Sequence, residues 1–182
     1  MWLIVMKGPP GSGKSTIARA LSRRLCYPLI DKDDILDILH RDEQVPDVLD
    51  NNAQLASGLS YDVMFHVARR QLLQGLSVIC DSPLTSIIGY RQAQTIAAEN
   101  RATLAIVECC CPDTTQWSQR IDARKMLSLP PHHQTDWHAV QSYLSYNRSE
   151  SSYPITHLHL MTDTTNPLEQ CVDTIVNWLE MS

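Results

Sequence analysis

Several features are missing from this 182-residue chain, and each absence excludes a class of protein. No apolar run approaches the roughly 20 residues that a spanning helix needs, so no membrane span is expected. No C-x-x-C pair accompanies further ligands, which leaves no zinc framework, and His132, His133 and His138 lack the i, i+4 spacing of a helical metal pair. Basic charge is not in excess: 15 Lys and Arg stand against 20 Asp and Glu, a net −5. Such a surface does not suit a long nucleic-acid backbone, although a small basic pocket is compatible with it. The stretch before residue 8 is too short for the apolar core of a secretory signal. Six glycines and ten prolines are too few for a disordered chain, and 43% hydrophobic with 19% charged residues is a globular composition. There are no internal repeats or linkers, and the length is that of one domain spanning residues 1–182.

The six cysteines do not form a disulfide framework either. Cys109, Cys110 and Cys111 are adjacent at the end of an apolar run, where neighbours point to opposite faces, and Cys26, Cys80 and Cys171 stand singly in apolar patterns. They read as small buried hydrophobes in a reducing compartment, so a cytoplasmic location is expected.

What the chain does have is Gly8-Pro9-Pro10-Gly11-Ser12-Gly13-Lys14-Ser15, followed by Thr16. This fits G-x-x-x-x-G-K-[ST], preceded by the apolar run Trp2-Leu3-Ile4-Val5-Met6 and followed by a helix-forming segment, the strand, loop and helix context that a phosphate-binding loop requires. A polyphosphate needs several backbone N–H groups converging on its oxygens. Glycines permit so tight a wrap, and the positive end of the following helix adds to it. Residues Gly8, Pro10, Gly11, Ser12, Gly13, Lys14, Ser15 and Thr16 are therefore expected around a nucleotide such as ATP. Lys14 would reach its β- and γ-phosphates and the Ser15 hydroxyl would ligate Mg²⁺.

Beyond the loop, helix and strand alternate at the pitch of one doubly wound sheet. A helix over 14–26 carries Ile17, Ala18, Leu21 and Leu25 inward, with Arg19 and Arg23 outward. A short strand at 28–30 delivers Asp31-Lys32-Asp33-Asp34 to its C-terminal edge, where ligands bind in open α/β sheets. Acceptor-side helices are expected within 34–74: one over 34–41, an irregular acidic stretch around Pro46, and one over 53–74. The last has the stripe Leu55, Leu59, Met64, Val67, Ala68 and Leu72. A strand over 76–80 ends at Asp81, and strands at 102–108 and 155–160 follow. Pro112-Asp113 opens a helix bearing Arg120 and Arg124, a mobile lid is expected at about 120–136, and Leu168, Val172, Ile175, Val176 and Leu179 stripe the last helix.

Three groups of residues outside the loop carry chemistry. Phosphoryl transfer to an alcohol needs a carboxylate to orient and deprotonate the acceptor hydroxyl, and another to hold magnesium-bound waters. Asp31 and Asp33 fit these tasks better than the alternative, an N-cap of the next helix, because three acids crowded into four positions with Asp34 are costly without a cation. Asp81 can sit beside Mg²⁺ or cap the following turn. Arg120 and Arg124, four apart on one helix face, repel unless an anion such as the phosphates of ATP lies between them. Thr164, in the loop after the last strand, is placed near the adenine base.

In order and spacing, these residues resemble the small P-loop kinases that group polynucleotide 5′-hydroxyl kinases, zeta toxins, chloramphenicol phosphotransferases and gluconate or shikimate kinases. The resemblance implies the three-layer α/β fold of P-loop NTPases, a five-stranded parallel sheet flanked by helices, with a helical lid. It implies Asp33 as general base, Asp31 as a holder of Mg²⁺ waters, and Lys14, Arg120 and Arg124 as the phosphate clamp. Where many relatives with an anionic acceptor place an arginine after the acidic pair, this chain has Ile35-Leu36-Asp37, and Lys125 replaces a glycine often found after the second lid arginine. The expected activity is ATP- and Mg²⁺-dependent transfer to a hydroxyl of a small molecule. A 5′-hydroxyl kinase of RNA or DNA, and a nucleotide-binding regulatory module without an acceptor, are the alternatives.

Overall fold

The structure is a computed structural model that describes residues 1–41, 52–127, 135–146 and 152–182. The acidic stretch around Pro46 and the centre of the expected lid, His132 and His133 included, lie outside the described residues.

Five parallel strands, β1 (Trp2–Lys7), β2 (Leu29–Asp31), β3 (Val78–Asp81), β4 (Thr103–Cys110) and β5 (Leu158–Asp163), form one sheet in the order β2-β3-β1-β4-β5. A strand buried on both faces reads as a continuous apolar run, and β1 is buried from Leu3 onward. Seven helices are described: α1 (Lys14–Leu25), α2 (Lys32–Arg41), α3 (Ala53–Leu73), α4 (Ile87–Glu99), α5 (Thr114–Lys125), α6 (Trp137–Tyr146) and α7 (Leu168–Met181). Alternate residues of β1 feed two cores. Leu3 and Val5 pack with Met64, Phe65 and Tyr90 of α3 and α4, whereas Ile4 and Met6 pack with Ile17, Leu21 and Ile175 of α1 and α7. The expected five-stranded parallel α/β fold is the observed one.

Three local expectations are corrected. The buried stripe of α3 runs through Ala56, Ser60, Met64, Ala68 and Leu72, leaving Leu55, Leu59 and Val67 at 46%, 37% and 36% exposure. The larger apolar side chains pointed to the wrong face, since the small Ala56 and Ser60 are buried while Leu55 and Leu59 are exposed. Strand β5 begins at Leu158 instead of 155, because the N–H groups of Thr156 and His157 donate to the Tyr90 hydroxyl at 2.9 and 3.3 Å. Leu168, placed in the last core stripe, is exposed and lines a cavity beside the phosphate loop. Arg19 is exposed, as expected, and also lines a second cavity.

Candidate active site

The phosphate loop sits at the C-terminal edge of the sheet, between β1 and the first turn of α1. Two of its glycines are required by geometry. Gly8 has φ +137°, and a Cβ there would lie 2.4 Å from the Cys109 carbonyl oxygen; Gly11 has φ +75°, with Ile121 and Trp117 at 2.7 and 2.9 Å. Backbone conformations of this kind are open to glycine at little cost. Three neighbours brace the loop. The Gly8 N–H donates to the Pro83 carbonyl at 3.2 Å, the Trp117 indole N–H donates to the Pro10 carbonyl at 2.9 Å, and the Thr164 hydroxyl lies 2.8 Å from the Ser12 carbonyl. Ser12 is fully buried and its own N–H donates to the Pro9 carbonyl. Lys14 donates to the Pro9 carbonyl at 3.1 Å and is 8% exposed. Burial pushes its ammonium below the usual lysine range, an effect opposed by the nearby negative charges of Asp81 and Asp33.

Two carboxylates face one another beside this loop. Asp31 and Asp81 are register partners at the ends of β2 and β3. Burial first, and the charge of Asp81 second, push Asp31 up to about 7, while the N–H of Asp33 donating to it at 2.9 Å works the other way. That hydrogen bond also caps α2, so the capping role anticipated for this pair belongs to Asp31. Asp81 is 2% exposed and neither of its oxygens has a hydrogen-bond partner. Burial raises it, while Lys14 and the neighbouring Ser15 hydroxyl hold it down without Ser15 reaching hydrogen-bond geometry. A buried carboxylate with two orphaned oxygens, a second carboxylate opposite and a hydroxyl nearby fit Mg²⁺, which takes oxygen ligands and keeps several waters. Among the described residues no three His, Cys, Asp or Glu converge on a metal.

Asp33 follows on the first turn of α2. Its carboxylate is 3.1 Å from the ammonium of Lys32, which is 5% exposed and lies over the ring of Tyr61, 5.5 Å from the centroid. A cation held on an aromatic face in a desolvated setting is well fixed. Tyr61 has a second task, accepting the N–H of Leu84 at 3.0 Å, and the Tyr153 hydroxyl donates to the Leu84 carbonyl at 2.6 Å. Leu84 has φ +45°, a left-handed conformation that a leucine adopts only when its surroundings impose it. The two tyrosines thus fix the loop Ser82-Pro83-Leu84, and with it Asp81 and the strap over Gly8.

The loop separates two cavities. One, of about 470 Å³, is lined by Gly11, Gly13, Arg120, Thr164, Asn166 and Leu168. The other, of about 610 Å³, takes in Lys14, Ser15, Asp31, Asp33 and Asp81 on one side, and Thr135 and Ala139 on the other. Thr16 and Arg124 line both, so Arg124 stands where the two meet. Arg120 does not reach the second cavity: its guanidinium donates to the Thr164 hydroxyl and carbonyl at 2.9 and 2.6 Å. The structure therefore gathers Lys14, Ser15, Thr16, Asp31, Asp33, Asp81 and Arg124 in one place and sets Arg120 and Thr164 on the other side of the loop.

Three contributors escaped the reading of the sequence. Trp117 shares a helical face with Arg120, Ile121 and Arg124, and that spacing was a usable signal for it. Arg19 recurs at the spacing of Ser15 on α1, one turn on. Ser82, which lines the second cavity and is 2% exposed with a buried, unpartnered hydroxyl, gave no signal, because a Ser-Pro after a strand reads as a turn.

Residues 3–141 match a family described as an AAA domain. A shikimate kinase from Corynebacterium efficiens is 49% identical over 35 residues, which cover 19% of this chain and 21% of that relative. Among solved structures, a candidate kinase from Chloroflexus aurantiacus superposes with a TM-score of 0.76 at 20% identity, covering 99% of this chain and 96% of that one. A gluconokinase from Sinorhizobium meliloti does so with a TM-score of 0.65 at 16% identity, covering 99% and 92%. The fold is that of the P-loop kinases.

Proposed function

The chain belongs to that AAA domain family, and from this premise we propose that it transfers the γ-phosphate of ATP to a hydroxyl of a small molecule. The observation that carries the reading is that one cavity holds the loop lysine, Asp33 and the partnerless carboxylate of Asp81. A nucleotide-holding module has no need of a second, acid-lined cavity beyond its phosphates.

On this reading the adenosine occupies the smaller cavity. The guanidinium of Arg120, held flat by two bonds to Thr164, offers the base a face there. The phosphates run along the loop to Lys14 and Arg124, whose positive charges meet the charge that spreads over the transferring group. Ser15, with Asp31 and Asp81 through water, would hold Mg²⁺, which supplies charge neutralisation at the β- and γ-oxygens. Asp33, anchored by Lys32, holds the acceptor hydroxyl in line. As the bond from the γ-phosphorus to the β-phosphate oxygen breaks and the new one to the acceptor oxygen forms, the hydroxyl proton passes to Asp33 and ADP leaves. The net −5 charge speaks against an oligonucleotide acceptor. Six unpaired thiols, and the lack among the described residues of a helix long and apolar enough to cross a membrane, suit the proposed cytoplasmic setting.

The test is ATP consumption measured against a panel of alcohols, sugars, nucleosides and 5′-hydroxyl oligonucleotides, with Lys14→Ala as control. Acceptor-stimulated turnover that Lys14→Ala abolishes is expected. Slow hydrolysis that no acceptor accelerates would leave only nucleotide holding.

A further inference from the structure

Neither oxygen of Asp81 is hydrogen-bonded, so this carboxylate takes its direction from the backbone on either side of it. Behind it, β3 is fixed between β1 and β2. Ahead of it, the turn Ser82-Pro83-Leu84 ends on a residue at φ +45°, a conformation that is unfavourable for leucine and has to be held. Both backbone groups of Leu84 are held by phenol hydroxyls: its N–H donates to Tyr61 at 3.0 Å, and its carbonyl accepts from Tyr153 at 2.6 Å. Within the turn, the Pro83 carbonyl accepts the Gly8 N–H at 3.2 Å, which ties it to the first residue of the phosphate loop.

Tyr153 is itself anchored by groups that the proposed reaction does not use. Its ring stacks on that of Tyr90 with centroids 5.5 Å apart, and the ammonium of Lys7, the residue before Gly8, lies 5.7 Å from its centroid. Lys7 is 7% exposed and pairs with Glu108 at 2.6 Å, while the other oxygen of Glu108 lies 2.9 Å from Nε2 of His159. A cation fixed in this way, and shielded from water, holds an aromatic face well. Burial pushes the Tyr153 hydroxyl above the usual phenol range, so it remains a donor to Leu84.

Resting on the phosphotransferase reading, we propose that Tyr153 is a positioning residue for magnesium: through Leu84 and Pro83 it keeps Asp81 aligned with the phosphate loop, and Lys7 keeps Tyr153 in place. Tyr153 lines neither of the two cavities, so it acts on the metal through the turn alone.

The experiment uses Tyr153→Phe, which deletes the hydroxyl and keeps the ring between Tyr90 and Lys7. Two measurements need no turnover: calorimetry of ADP in EDTA and with Mg²⁺, and amide exchange of Gly8 and Leu84 by NMR in the metal-free protein. ADP alone should bind Tyr153→Phe within about two-fold of the unaltered protein, whereas the extra affinity that Mg²⁺ confers should drop about five-fold or more. Both amides should exchange about ten-fold faster. Ile175→Val trims the core on the other face of the sheet and lowers stability without touching the turn, so it should leave the Mg²⁺ increment unchanged. Added to Asp81→Asn, Tyr153→Phe should cost no further Mg²⁺ affinity. An unchanged increment in Tyr153→Phe, or an equal drop in Ile175→Val, overturns the inference and leaves the kinase reading intact. The expected drop in a protein whose ATP use no acceptor stimulates upholds the inference and removes the kinase reading. An unaltered protein whose ADP affinity does not respond to Mg²⁺ overturns the inference, whatever acceptor stimulates turnover.

Discussion

Asp31 and Asp81 stand directly opposite each other where β2 and β3 end, one held up to about 7 and the other buried with both oxygens unpartnered. Ionising Asp31 is therefore costlier in the folded protein than in the unfolded chain, whose carboxyl titrates near 3.8. In that window the native state binds more protons than the unfolded state, so metal-free stability should fall as pH rises from about 4 to about 7. Binding of Mg²⁺ with ADP near pH 6.5 should release protons, seen as a buffer-dependent heat in calorimetry. Asp31→Asn should reduce both the slope and the release. A melting temperature that is flat or rises across this range contradicts the assignment.

Gly8 and Gly58 make a matched pair of opposite sign. Gly8→Ala places a Cβ against the Cys109 carbonyl at a positive φ and should destabilise by about 3 kcal/mol or more, with loss of nucleotide binding. Gly58 lies on the exposed face of α3, where a Cβ meets nothing within 4 Å, and Gly58→Ala should stabilise by about 0.5–1 kcal/mol with ATP affinity unchanged. Thermal melts and nucleotide titrations of the two variants check this.

Trp117 ties α5 to the phosphate loop and also carries the lid-side helix, since the ring of Trp137 meets it edge-on at 5.3 Å. Trp117→Phe keeps the packing and deletes the hydrogen bond to Pro10. It should cost about 1 kcal/mol and weaken ATP a few-fold. Nucleotide binding should change the tryptophan fluorescence of the unaltered protein, and Trp137→Phe should remove most of that change. A signal unaffected by Trp137→Phe would uncouple α6 from the loop.

On the proposed reading, Lys32, 3.1 Å from the Asp33 carboxylate, positions Asp33. Lys32→Met should lower acceptor-stimulated kcat about ten-fold with KM for ATP nearly constant, and Lys32→Arg should recover part of it. A purely structural lysine would shift the melting temperature and leave kcat alone well below it.

The parts of this site that sequence revealed are those in which chemistry fixes residue type at a short spacing. Gly8 to Thr16 is one peptide making one cradle, and Asp31 and Asp81 each follow an apolar strand that has to end at the same sheet edge. What escaped depends on contacts between distant segments. Trp117 reaches Pro10 across the fold, and Leu84, at φ +45°, is hydrogen-bonded to Tyr61 on α3 and to Tyr153 ahead of β5. The start of β5 was hidden for the same reason, Tyr90 having taken the N–H groups of Thr156 and His157. On α3, apolar size misled, because the buried face there carries the small Ala56 and Ser60 and leaves Leu55 and Leu59 exposed. Arg120 and Arg124 share a face as their spacing requires, yet Thr164 draws one of them to the other side of the loop.

The most direct test of the account follows ATP and an acceptor that stimulates turnover by phosphorus NMR, for the unaltered protein and for Asp33→Asn. The account predicts a phosphomonoester resonance growing in step with ADP, about 10²-fold slower in Asp33→Asn, with ATP affinity within a few-fold of the unaltered protein. ADP accumulating with inorganic phosphate alone, at a rate indifferent to Asp33→Asn, would contradict it.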